Sequence, residues 1–189
     1  MPRNSRKKNR KNNKKNNGWQ LAYELEGAAF GIADGVICIL GLIFGVAIAT
    51  QNTNLTIIAA LAGGVADAFG NSIGFFISQS TERGVQIQRK KGGEETHIHT
   101  KQETILNAVF SFIATIIVLG VLLFPFLIFN IWNALVMTTA IGILILFFLG
   151  IFVAKLTGEN QIKTAAIFII LGIVGAVIGY FIGSLFKTQ

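Results

Sequence analysis

The stretch Ala28-Ala-Phe-Gly-Ile-Ala-Asp34-Gly-Val-Ile-Cys38-Ile-Leu-Gly-Leu-Ile-Phe-Gly-Val-Ala-Ile-Ala49 is apolar from end to end apart from one carboxylate. Coiled as a helix at about 1.5 Å per residue, it is long enough to cross a hydrocarbon core of about 30 Å. A second run, from about 55 to 78, again holds a single charge, Asp67. A charged side chain at such depth costs about 2.5 to 3.5 kcal/mol on insertion scales, so residues of this kind face the bundle interior or a wet cavity and mark ion or proton paths. The competing reading of Asp34 is a protonated carboxyl that hydrogen-bonds a neighbouring helix and serves packing alone.

The rest of the chain fits this membrane reading. Its 189 residues are 52% hydrophobic and 13% charged, against about 25% charged in soluble domains. Five runs have spanning length, roughly 28–50, 55–78, 104–126, 130–153 and 164–186. The expected fold class is therefore all-α, a polytopic membrane protein of five transmembrane helices. A basic tail, 1–17, precedes it and is expected to be disordered. An interfacial lead-in occupies 18–27, and a polar loop spans 79–103. The first run is too long, too Gly-rich and too far from the terminus for a cleavable signal peptide. Cys38 is the one cysteine, so no intrachain disulfide forms.

Basic residues set the expected orientation. Eight lie in the tail, five in the 79–103 loop (Arg83, Arg89, Lys90, Lys91, Lys101), and Lys155 and Lys163 lie between the fourth and fifth runs. Five spans put all three segments on one side, so the N-terminus is expected in the cytoplasm and the C-terminus outside. A basic tail beside a membrane attracts anionic lipid at about 1 kcal/mol per residue near the surface; it is read as a lipid partner rather than a nucleic-acid arm.

Helical residues four apart share a face. Asp34 and Cys38 are so related on the first span, and Asp67 and Asn71 on the second. Gly31, Gly35, Gly63, Gly70 and Gly74 lie nearby and allow close helix packing or leave room for an ion. Two carboxylates, an amide oxygen and a thiolate form a plausible shell for a divalent transition metal. Asn71 reads equally as interhelical glue, and Cys38 as a small hydrophobe. Towards the basic side, Glu24, Glu26, Glu94, Glu95, His97, His99 and Glu103 form a candidate capture set for metal; a solvated connector with no ligand role is the competing reading. No resident cofactor is expected. No serine triad, phosphate loop or metalloprotease motif appears, and the Asp-containing motifs of intramembrane aspartyl proteases are missing, so an enzyme is not expected.

Several motifs in order resemble the vacuolar iron transporter family of divalent-metal exporters. Phe30-Gly-Ile-Ala-Asp34-Gly35-Val is similar to its F-G-x-x-D-G-x signature. Leu61-Ala-Gly-Gly-Val-Ala-Asp-Ala-Phe-Gly-Asn-Ser-Ile-Gly74 is similar to its L-A-G-x-x-A-x-A-x-S-M-x-x-G-E pattern. Gly120-Val-Leu-Leu-Phe-Pro125 and Gly172-Ile-Val-Gly-Ala-Val-Ile-Gly-Tyr180 resemble its third and fifth spans. The resemblance covers about 27–186. It implies a homodimer of five-helix protomers with the ion path near spans one and two. It implies export of Fe2+ or Mn2+ from the cytoplasm in exchange for protons, with Asp34 as the central carboxylate. The chain departs from the pattern at Asn71, where the family has Met, and at Phe75, where it has Glu. The segment between spans two and three is also far shorter than the family's Glu-rich metal-binding insert. An oxygen-rich site tilts preference towards Mn2+. The expected function is a secondary transporter for Fe2+ or Mn2+ in the cell membrane of a prokaryote; the alternative is a metal sensor or scaffold that kept the fold without transport.

Overall fold

The computed structural model describes residues 3–94, 98 and 100–187, with side chains from Leu25 onward apart from the gaps in the 95–99 segment. Five α-helices follow one another: α1 (Arg3–Thr50), α2 (Thr53–Lys91), α3 (Lys101–Leu123), α4 (Ile131–Thr157) and α5 (Gln161–Leu185). There is no strand among the described residues. Each helix is long and apolar enough to cross a membrane, the first from Leu25 to Thr50. The chain is a multi-pass membrane protein.

The helix ends follow from local chemistry. Asn52, Asn130 and Asn160 cap α2, α4 and α5, each side chain accepting a backbone N–H of the first turn. Thr100 and Glu103 form a reciprocal capping box on α3, which satisfies two donors that a helix start otherwise leaves orphaned. Pro125 sits in a 3-10 turn, Phe124–Leu127, that closes α3, because proline lacks the N–H an α-helix interior needs. Gly158 ends α4 with φ +78°, a left-handed cap that glycine adopts without a Cβ penalty.

Two boundaries differ from the sequence expectation. The segment 79–103 is not mainly loop: α2 runs on to Lys91, and the connection is 92–100. Residues 79–91 are rich in Gln, Glu, Arg and Lys, good helix formers, with Gln86 Nε2 donating to Glu82 Oε1 one turn away. Gly92 and Gly93 end the run, the latter at φ +90°. The helix α1 likewise begins at Arg3, ahead of the lead-in; an established helix extends cheaply, since only nucleation is costly.

Helix α1 is the hub and packs against all four others. Its Val36, Ile39, Leu40 and Ile43 are fully buried, meeting Leu119 and Leu122 of α3 and Leu146 of α4 in one core. Glycine sets the closest approaches. A Cβ on Gly31 would run into the backbone carbonyl of Ser111 on α3, and one on Gly179 of α5 into that of Gly41. Small residues at such seams let backbones touch where burial from water supplies no driving force between helices. Only 17% of the apolar window of α2 is buried, against 50% for α3. Helix α2 therefore presents most of its surface outward.

Candidate functional site

The site lies where α1 and α2 run side by side. Two ring pairs anchor α2 to its neighbours: Phe30 of α1 meets Phe75 of α2 with centroids 5.3 Å apart, and Phe69 of α2 meets Phe112 of α3 at 4.9 Å. Phe75, at the position where the resembling pattern has Glu, is buried. It is a packing residue.

Beside these anchors the four polar residues come near one another. Asn71 Nδ2 donates to Asp67 Oδ2 at 3.2 Å. Cys38 faces the Asp67 carboxylate across the helix pair, near enough for the two groups to act on one another. Asp34 is close enough for its charge to act on both. Counting about 1.5 Å per residue, Asp34 lies some ~24 Å from the Thr50 end of α1, and Asp67 about 21 Å from the Thr53 end of α2. The two carboxylates are thus at nearly one depth, past the middle of the span and nearer the basic end. Asp34, Asp67 and Asn71 are half-buried and Cys38 is exposed. The cluster is on the outer face of the protomer rather than sealed in its core.

The single chain shows no closed metal site among its described residues: no group of three or more His, Cys, Asp or Glu is placed to hold an ion. What it offers is a row of oxygens and a sulfur facing outward. The glycines flanking the row divide in two. Gly31 and Gly35 pack on Ser111 and Thr115 of α3, and Gly63 packs on Leu42 of α1. Gly70 and Gly74 face open space, with nothing within 4 Å of where a Cβ would stand. With Ala62 and Ala66 they form an exposed stripe at four-residue spacing along α2.

The expected capture set scatters. Glu26 accepts from Gln79 Nε2 at 3.0 Å. Glu103 accepts from the Thr100 backbone N–H at 2.9 Å in its capping box, so its carboxylate has a structural task. Glu94 is exposed on the connection. The side chain of Glu24, and Glu95, His97 and His99, lie outside the described residues.

The structure adds residues that sequence reading passed over. Gln79 is buried and also accepts from Asn107 Nδ2 at 3.3 Å, giving a relay Asn107–Gln79–Glu26 from the core to the basic end. Asn107, Ser111 and Thr115 are fully buried on α3. Thr115 Oγ1 donates to the Gly31 carbonyl at 3.0 Å. The Ser111 hydroxyl has no hydrogen-bond partner among the described residues. Their spacing of four was the available signal: a polar stripe on one face of an apolar helix.

Comparison with known proteins agrees with this architecture. A sequence model of the VIT family, the vacuolar iron transporters, matches residues 25–104 and 87–184. An uncharacterized protein of the archaeon Methanocaldococcus jannaschii is 34% identical over 143 residues, covering 70% of this chain and 74% of its own length. The two matched segments together span all five transmembrane helices, including the α1–α2 pair that carries the carboxylates. The chain belongs to the VIT family, a family of membrane metal-ion transporters.

Proposed function

We propose that the protein is a secondary transporter that carries a divalent transition metal, Mn2+ or Fe2+, out of the cytoplasm in exchange for protons, and that it works as a homodimer. The observation that carries the reading is the outward-facing row Asp34, Cys38, Asp67 and Asn71 on an otherwise apolar helix pair. Half-exposed carboxylates facing lipid would be costly. A second copy related by a two-fold axis covers them and doubles the donors, as an isologous interface does. Two protomers would then supply four carboxylates, with two amide oxygens and two thiols beside them, enough oxygen ligands for Mn2+ or Fe2+. The open stripe of Ala62, Ala66, Gly70 and Gly74 would let the α2 helices approach.

Coupling follows from competition for the same oxygens. The ionised carboxylates bind the cation from the cytoplasmic side. Protons arriving from the far side neutralise them and release it, because one carboxylate oxygen does not hold metal and proton together. The basic residues around Arg83 to Lys101 and at Lys155 and Lys163 support a cytoplasmic placement of that end.

The test is metal flux in proteoliposomes with the pH gradient on and off, wild type beside Asp34→Asn. Asn keeps the size and loses the charge, so flux should fall to the leak rate while the protein remains folded. Undiminished flux in the variant would remove Asp34 from the mechanism. Metal binding without flux in the wild type would favour a sensor.

A further inference from the structure

Away from the carboxylates, a crevice of about 310 Å³ opens between α2 and α3 at the basic end, lined by Phe76, Ser80, Arg83, Lys101, Thr104 and Ile105. We propose that it binds the phosphate of an anionic phospholipid.

The layering of its walls carries the argument. Phe76, Ser80 and Arg83 stand four and then three residues apart, so they share one face of α2. Lys101, Thr104 and Ile105 do the same on α3. Ser72 Oγ donates to the Ala108 carbonyl at 2.9 Å, which, with the Asn107–Gln79 bond, holds the two faces side by side. The apolar pair, Phe76 and Ile105, is 42% and 54% exposed. It sits at the end of the apolar run of α2, where Ile77 gives way to Ser78, Gln79 and Ser80. Arg83 lies seven residues on from Phe76, about 10 Å along the axis, which reaches through a headgroup layer about 5 to 7 Å deep. From the bilayer outward the crevice therefore offers rings and branched carbons, then the Ser80 hydroxyl, then two cations, while the Thr104 hydroxyl is held by the Thr100 carbonyl. A phospholipid has the same order of acyl chain, ester and phosphate.

Charge complementarity selects the headgroup. Arg83 and Lys101 are the two ionisable residues of the wall. Glu82 and Glu103 flank the crevice without lining it, Glu103 accepting from the Thr100 N–H, and a phosphate would join Arg83 to the contacts it already makes. Lys101 opens α3, so the positive end of that helix and its first backbone N–H groups, which have no intrahelical acceptor, lie at the same place. Basic pockets between transmembrane helices on the cytoplasmic side take anionic headgroups in this way. The site is independent of the basic tail and of the transport reading.

The test is lipid retention by the full chain, delipidated in detergent and examined by native mass spectrometry with phosphatidylglycerol or phosphatidylcholine of identical acyl chains. The wild type should retain phosphatidylglycerol in preference to phosphatidylcholine. Each charge removed should weaken that retention about fivefold, so Lys101→Gln loses one step and Arg83→Gln with Lys101→Gln loses two. Arg83→Lys should hold most of it. The pair Arg89→Gln with Lys90→Gln, outside the crevice, should match wild type. Helical circular dichroism and a single gel-filtration peak establish folding, and Lys101→Gln alone decides the matter if the double variant does not fold. Equal retention of both lipids overturns the proposal, as does an Arg89/Lys90 loss as large as that at the crevice. Displacement of the bound lipid by millimolar inorganic phosphate would make the crevice a free-anion site and overturn it too.

Discussion

At the residue scale, the position with most to say about selectivity is Asn71. Its amide is held by Asp67, Nδ2 to Oδ2 at 3.2 Å, which leaves its carbonyl oxygen as the group available to a cation. The resembling pattern has Met at this position. A thioether is a soft ligand that favours softer metals, whereas an amide oxygen suits Mn2+. Asn71→Met removes the hydrogen bond to Asp67 and supplies sulfur in its place. The expected outcome is a rise in the ratio of Fe2+ to Mn2+ flux, measured in the same vesicles, with total flux within about one order of magnitude of wild type. An unchanged ratio would place Asn71 outside the ion's reach. Asp34 and Asp67 were legible at this scale because a lone charge in a long apolar run stands out. Gln79 and Asn107 were not: an uncharged amide near a span end looks like solvated surface until the neighbouring helix shows it to be buried.

At the element scale, the five spans were readable from apolar length alone, since about twenty apolar residues have few uses other than crossing a bilayer. The end of α2 was not. Hydropathy reports contact with lipid, not helicity, and α2 stays helical for thirteen residues beyond its apolar part, from 79 to Lys91. That extension matters, because it raises Arg83 beside Lys101 and builds one wall of the lipid crevice. The glycine seams were also only partly legible. Gly31 and Gly35 were singled out with their neighbours, yet which glycines touch a helix and which face outward depends on three-dimensional rotation. Gly31 lies against the Ser111 backbone, where a side chain has nowhere to go. Gly31→Val should push α1 from α3, break the Thr115 bond to the Gly31 carbonyl, and cost about 1 to 3 kcal/mol or more, as overpacking does. A lowered thermal midpoint of the purified protein, with aggregation on heating, is the expected reading; an unaltered midpoint would mean that the seam relaxes freely.

At the scale of the whole molecule, one imbalance organises the rest. Helix α1 is surrounded and α2 is largely uncovered, yet both carry carboxylates at nearly the same depth. A protomer alone in a bilayer would leave Asp67 and Asn71 half-exposed beside lipid. In the proposed homodimer a partner docked on the α2 face would cover them, coming closest at the stripe Ala62, Ala66, Gly70 and Gly74. Gly70 separates the two demands on this helix. Nothing in the protomer lies within 4 Å of a Cβ at Gly70, so Gly70→Val has no steric reason to disturb the five-helix fold, and its propensity change in an exposed helix is a small gain over Gly. Across a close helix–helix contact the same two methyl groups would hold the backbones apart. Gly70→Val should therefore keep the helicity and thermal midpoint of a folded protomer while shifting the mass in detergent, measured by light scattering, from dimer towards monomer. Metal flux should fall with the dimer fraction, because half a donor set remains on each copy. A variant that stays fully dimeric and active would place the partner on another face. The half-exposed carboxylates of α1 and α2 would then need a cover that the α2 stripe does not provide.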